Sequence, residues 1–265
     1  MLYGTAWKKA QTESLVREAI AQGFRGIDTA CQPKHYHEPG VGDALVASIA
    51  DGVLTRDELF LQTKFTSLSG QDPARIPYDA SASLPEQVAQ SFAASLRNLQ
   101  TPYVDSLVLH SPMPDMEQTL EVWRAMEALA DNGTARQIGI SNCYALKTLR
   151  ALYEASRIKP TVLQNRFYAE TDYDVDLRAF CLDHGITYQS FWTLSANPHL
   201  LADETLRLLT LKYQRTAAQV LFRYLTQSGV VPLTGTRSPR HMREDLDIFT
   251  FELTSTELKA VTALL

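Results

Sequence analysis

Three ionisable side chains stand at or near the ends of short apolar runs. Asp28 follows Gly26-Ile27, Lys64 sits inside Leu61-Gln62-Thr63-Lys64-Phe65, and His110 follows Leu107-Val108-Leu109. Each has an ordinary reading when taken alone. A strand-end aspartate organises a loop, and a strand-end histidine hydrogen-bonds within a core. Lys64 is harder to dismiss, because a buried ammonium without a partner is expensive and calls for a nearby anion. Asp28 is the natural partner. Such a lysine could also act as a Schiff-base nucleophile toward a carbonyl. Two more run ends carry polar groups, Ser141-Asn142 and Gln164-Asn165-Arg166. His35 and His37 suggest a metal, but no set of cysteine and carboxylate ligands at suitable spacing accompanies them, so no metal site is assigned.

The elements that must position these residues alternate between two periods. Strand-like runs fall at Met1–Tyr3, Gly26–Ala30, Leu59–Phe65, Val104–His110, Gln137–Ser141, Thr161–Phe167, Ile186–Trp192 and Val230–Thr234. They are too continuously apolar for a half-exposed sheet and suit parallel strands covered by helices. Helical windows fill the gaps. Thr12, Asp115 and Ser238 are expected to cap three of them, and Ser83–Glu86 and Thr216–Gln219 read as capping boxes. A further helix is expected over Tyr173–His184. Gly23, Gly133, Gly185 and Gly229 supply stops. About eight strand-helix repeats predict a (β/α)₈ TIM barrel, one α/β domain over residues 1–265. Gly40-Val41-Gly42 is a poor match to a Gly-rich dinucleotide fingerprint. The long connection Thr66–Ala82 leaves the third strand and should border the barrel mouth, where barrel active sites lie.

Bulk properties agree. The length of 265 residues is close to the roughly 250 typical of one such barrel. With 45% hydrophobic residues, the chain can bury a core without disulfides. A net charge of −5 without a basic stripe argues against nucleic acid as a partner. Cys31, Cys143 and Cys181 are sparse and odd in number, which fits free thiols in a reducing compartment. No signal peptide or membrane span is apparent, and a cytoplasmic location is expected. Nothing specifies an oligomeric state.

Taken together, Gly26-Ile27-Asp28-Thr29-Ala30, Gln62-Thr63-Lys64-Phe65, Val104–Pro112 and Gly139-Ile140-Ser141-Asn142 resemble the aldo-keto reductase family. Gly4-Thr5 and Gln164-Asn165 fit as well, so the likeness spans nearly the whole chain. The resemblance implies a catalytic tetrad of Asp28, a tyrosine, Lys64 and His110. The tyrosine donates a proton to the carbonyl oxygen while hydride arrives from a nicotinamide. Its phenol, near pKa 10 unperturbed, would be acidified by the ammonium. Asp28 would hold Lys64, and His110 would orient the carbonyl. Tyr36 is the candidate, as the sole tyrosine in its loop, although Gln32-Pro33-Lys34 make the Asp-to-Tyr spacing longer than the family pattern.

The same resemblance implies a cofactor wall. Ser141, Asn142 and Gln164 would hold the carboxamide, Phe191 would stack on the ring, and Gly4, Thr5 and Leu194 would flank it. The segment Thr234, Gly235, Thr236, Arg240, His241, Glu244 and Asp245 would take the far end, with a phosphate at the helix opened by Ser238-Pro239. Arg237 and Arg240 favour NADP, with NAD as the second choice, although Leu233, His241 and Asp245 depart from strongly NADP-preferring members. Trp7, Tyr36, His110 and Ser111 would border a small-molecule carbonyl substrate. The N-terminal hairpin and the long C-terminal loop common in the family are not expected here, which implies an open pocket for small aldehydes or ketones. The rival functions are a non-catalytic nicotinamide-binding regulatory subunit on this fold and a Schiff-base lyase using Lys64.

Overall fold

The computed structural model describes residues 1–265. Eight parallel strands follow one another in chain order around a closed barrel, the last pairing with the first. They are β1 Leu2–Gly4, β2 Gly26–Asp28, β3 Phe60–Phe65, β4 Ser106–Leu109, β5 Ile138–Ser141, β6 Val162–Arg166, β7 Thr187–Phe191 and β8 Val231–Thr234. Seven of the expected runs are present, trimmed by one to three residues, and the first is shifted by one residue to Leu2–Gly4. Residues of β2, β4 and β5 are buried throughout, as befits strands covered on both faces.

The helices are α1 Thr12–Gln22, α2 Glu38–Ala50, α3 Leu84–Leu99, α4 Met116–Asp131, α5 Leu146–Ala155, α6 Val175–Asp183, α7 Pro198–Ala202, α8 Glu204–Tyr213, α9 Ala217–Gln227, α10 Pro239–Leu246 and α11 Ser255–Thr262. Ser83–Glu86 and Thr216–Gln219 form reciprocal capping boxes, and Asp115 and Ser238 accept from the third residue beyond them. Two expectations need correction. Thr12 is the first helical residue rather than the cap, its hydroxyl donating to Lys9 O because a short 3₁₀ turn precedes it. The helix expected from Tyr173 starts at Val175, because Asp172, Tyr173 and Asp174 all take left-handed backbone angles.

Gly42 shows why the Gly40-Val41-Gly42 stretch is glycine-rich. A Cβ on Gly42 would lie 2.1 Å from Asn98 O at the end of α3. The glycine lets α2 and α3 touch backbone to backbone. All three cysteines are free and buried, and burial pushes each thiol up to about 12. No helix is long and apolar enough to cross a membrane.

Candidate active site

The floor of the site is an ion pair made by adjacent strands. Lys64 Nζ donates to Asp28 Oδ1 at 2.6 Å, Asp28 Oδ2 at 2.7 Å and Thr29 O at 2.9 Å. All three ammonium protons are thereby used. Lys64 is 1% exposed. Burial pulls its pKa down, while Asp28 pulls the other way. Asp28 Oδ1 also accepts from the amides of Gln62 at 2.8 Å and Gln164 at 3.0 Å, and both amides donate to Gln189 Oε1. The upper layer of the barrel interior is therefore a connected polar network, in which almost every partner is satisfied inside the protein.

The longer loop between Asp28 and Tyr36 does not carry the tyrosine away. Both His35 N and Tyr36 N donate to Gln32 O, and the Gln32 side chain ties Gly70 O on one side and His35 Nδ1 on the other. The extra residues are consumed in a tight turn. Two residues past Tyr36, the buried Glu38 accepts from Thr63, Ser95 and Asn98, which anchors the loop exit to β3 and α3. The Tyr36 ring then lies with its centroid 5.3 Å from Lys64 Nζ and 6.0 Å from the His110 ring, edge to face.

The electrostatics differ from the sequence expectation at one point. The Tyr36 phenol is raised by burial and by Asp28, not lowered. Burial in a dry setting is the larger cause, and the Asp28 carboxylate adds to it. His110 is pushed down to about 3, by burial and then by Lys64, so its imidazole is neutral at ordinary pH. Its Nδ1 is 2.6 Å from Thr66 Oγ1. Its carbonyl accepts from Asn142 Nδ2 at 2.8 Å.

A cleft of about 1050 Å³ opens above this floor. Asp28, Tyr36 and His110 line it, whereas Lys64 lies beneath it. Trp7 and Ser111 stand on its lip, with Ser67, Ser69 and Gly70 of the long third connection. The wall from β5 to the turn after β8 carries Ser141, Asn142, Gln164, Phe191, Leu194, Thr234, Gly235, Thr236, His241, Glu244 and Asp245, and Gly4 joins them from β1. Two expected members fall elsewhere. Thr5 is fully buried, its hydroxyl donating to Asp28 O. Arg240 points outward and pairs with Glu244.

This wall can be tested for a nicotinamide. Gln164 spends both amide protons on Asp28 and Gln189, leaving Oε1 as an acceptor for a carboxamide N–H. Asn142 keeps one donor in a weak 3.3 Å contact with Ser141 Oγ, which a carboxamide oxygen can replace. Asn142 adopts φ 50°, a conformation that asparagine tolerates better than most residues. Phe191 is half-buried on the cavity wall. At the far end, α10 opens with Ser238 as cap and Pro239 next; His241 N and Met242 N are spent on Ser238, which leaves Arg240 N as the free amide of the first turn. The donor set fits a dinucleotide.

Several contributors lay outside the sequence reading. Lys8 is 2% exposed and has no carboxylate partner. It donates to Gly235 O at 2.9 Å, and burial with Arg237 nearby pulls it down to about 8. Its position in Gly4-Thr5-Ala6-Trp7-Lys8 was the available signal. Gln62 and Gln189 carried none, since polar residues facing a barrel interior resemble ordinary strand residues. Asp245, by contrast, was expected on the cofactor wall; buried against Thr234 Oγ1 at 2.7 Å, it is raised to about 6. His37 accepts from Gly40 N as the cap of α2, and no group of three metal-binding side chains converges anywhere.

Comparison with known proteins gives concordant matches. A family model described as "Aldo/keto reductase family" matches residues 1–265. Methylglyoxal reductase DkgA of Yersinia pestis is 31% identical over 255 residues, covering 96% of this chain and 84% of that protein. Glyoxal reductase of Bacillus subtilis is 32% identical over 253 residues, covering 96% and 83%. The Bombyx mori enzyme AKR2E4, solved in complex with NADP, superposes with a TM-score of 0.83 at 27% identity, covering 99% of this chain and 88% of that one.

Proposed function

The chain belongs to the aldo-keto reductase family, and from that premise we propose how its barrel mouth carries out carbonyl reduction, and on what substrates. It is an NAD(P)-dependent oxidoreductase. The bound cofactor supplies hydride to a carbonyl carbon; the chain's own residues supply the proton and the geometry. Tyr36 is the proton donor, and the observation that carries this is the Asp28–Lys64 pair beneath its ring, with His110 at its edge. A raised phenol pKa keeps the proton loaded at working pH. The developing phenolate then meets the ammonium, a stabilisation present only as the proton leaves. We infer that the Thr66 hydroxyl, 2.6 Å from Nδ1, donates to neutral His110, whose proton is then on Nε2 and is offered to the carbonyl oxygen.

Relatives named for methylglyoxal and glyoxal, together with an open polar lip of Ser67, Ser69 and Ser111, support small aldehydes and dicarbonyls as substrates. NADP is the preferred cofactor, on account of Arg237 and His241 beside the α10 terminus and the ammonium of Lys8. The lyase alternative is disfavoured because Lys64 lies beneath the cleft with all three donors spent. NADPH oxidation with methylglyoxal and a panel of simple aldehydes tests the reading. Tyr36→Phe should lower kcat about 10²–10⁴-fold with NADPH affinity unchanged. Full activity in that variant rejects Tyr36 as donor, and NADPH binding without turnover in the unaltered protein returns the non-catalytic reading.

A further inference from the structure

Arg166 is a cation on the cleft wall that the mechanism above does not use. It ends β6 opposite Phe191 of β7. Its backbone N–H donates to Tyr144 Oη at 3.1 Å, Tyr144 donates to Asn142 Oδ1 at 3.2 Å, and Asn142 donates to His110 O. Arg166 is thus tied to the rim sector that holds the reacting corner. Its guanidinium carbon lies 4.2 Å from the centroid of the Trp192 ring and 5.1 Å from that of Tyr168. Outer arginines such as Arg157 and Arg240 meet carboxylates. Arg166 meets none, and its Nε is buried with no acceptor.

An unmet buried donor costs free energy that packing alone does not return. Aromatic stacking holds the planar group in place but leaves the fork of its terminal Nη1 and Nη2 donors unspent. Trp192 is itself held at φ 58° while 52% exposed. That backbone region is rare for so large a side chain, and such outliers gather where ligands bind.

We propose that Arg166 is an oxyanion receptor, taking one carboxylate or phosphate group of a bound molecule in its fork while Trp192 and Tyr168 hold the guanidinium plane. Two sources share that chemistry: a carboxylate on the carbonyl substrate and a phosphate of the cofactor. The substrate arm rests on the carbonyl-reduction reading; the receptor itself does not.

Tryptophan fluorescence of the full chain, with Trp192 stacked on Arg166, reads docking without turnover. Titrations with 4-oxobutanoate, its uncharged counterpart butanal, and inorganic pyrophosphate should be run with and without NADPH. At least one anion should bind the unaltered protein, and Arg166→Gln should weaken it tenfold or more, with butanal unaffected. Steady-state kinetics separate the sources. A tenfold rise in KM for 4-oxobutanoate, with butanal KM and NADPH Kd within twofold, assigns the substrate carboxylate. A tenfold rise in NADPH Kd, with no distinction between the two aldehydes, assigns the cofactor phosphate. Arg166→Lys keeps the charge without the fork and should fall between, which covers a Gln variant that fails to fold. No anion binding to the unaltered protein, or all constants within twofold in folded variants, overturns the proposal. Absence of aldehyde turnover with intact anion binding would instead defeat only the reductase reading.

Discussion

His110 illustrates how one side chain couples the site to stability. In the unfolded chain an imidazole takes up a proton below about pH 6.5, whereas folded His110 resists until about 3. Between those values the unfolded state binds more protons, so stability falls as pH drops through that window, by at most about 1.4 kcal/mol per pH unit. By pH 5 the loss from this residue is about 2 kcal/mol. Urea unfolding at pH 7 and pH 5 should show His110→Gln losing less stability than the unaltered protein; equal losses would mean that His110 titrates normally. The sequence reading joined Lys64 to Asp28 through a physical demand, that a buried ammonium needs an anion, and set His110 beside them as a third strand-end group. It also selected Tyr36. What it could not reach was the direction of the Tyr36 shift, because that is set first by burial of the phenol and then by the Asp28 carboxylate, which only the folded site brings together. Arg166 was legible only as a polar residue at a run end, and Lys8 escaped for a related reason. A lysine in a loop-like string looks solvated until the fold shows it walled in.

Elements were legible where the chain carries local chemistry and less so where tertiary contact decides. Ser83–Glu86 and Thr216–Gln219 announced their helices because capping pairs satisfy orphan amides within four residues. The late start of α6 was hidden, since the left-handed run Asp172–Asp174 is held by longer-range bonds, Asp174 accepting from Asn165 and Tyr188. The same Asn165 donates to Cys143 O and accepts from Cys143 N, thereby fixing the turn that carries Ser141 and Asn142. Gly42 belongs to this scale too. Its meaning emerges only when α3 arrives against it. Gly42→Ala should separate α2 from α3 and cost about 1–3 kcal/mol, the usual penalty for overpacking. A melting or urea midpoint matching that of the unaltered protein would show that the two helices can part without strain. Because α2 begins just after Tyr36, the variant should also lose activity ahead of stability.

For the molecule as a whole, the wall proposed for the dinucleotide runs from β5 to β8 and on to Gly4 of β1, and the proposed substrate lip lies over β1 to β4, so a ligand filling the cleft would bridge both halves of the barrel. A ligand that binds only the folded state adds about 2.7 kcal/mol at a hundred times its Kd. For a chain of this size that raises Tm by roughly 5–10 °C. Thermal unfolding with NADPH should show this rise, and NADH at equal concentration a smaller one. Equal shifts would remove the case for NADP preference built on Lys8, Arg237 and His241. Barrel closure itself was legible from eight alternations; which polar residues converge inside it was not, since Gln62, Gln164 and Gln189 meet only when distant strands are wound into one ring.

The three sheltered thiols acquire a meaning once the cleft is occupied by reactive aldehydes. Sulfur attacks electrophilic carbon as thiolate, and does so only where the two can collide. Cys31, Cys143 and Cys181 offer neither the anion nor the access. On the proposed reading of the substrates, reactive carbonyls passing through the cleft would find no sulfur to consume, a shelter that comes from the same interior that shapes the barrel.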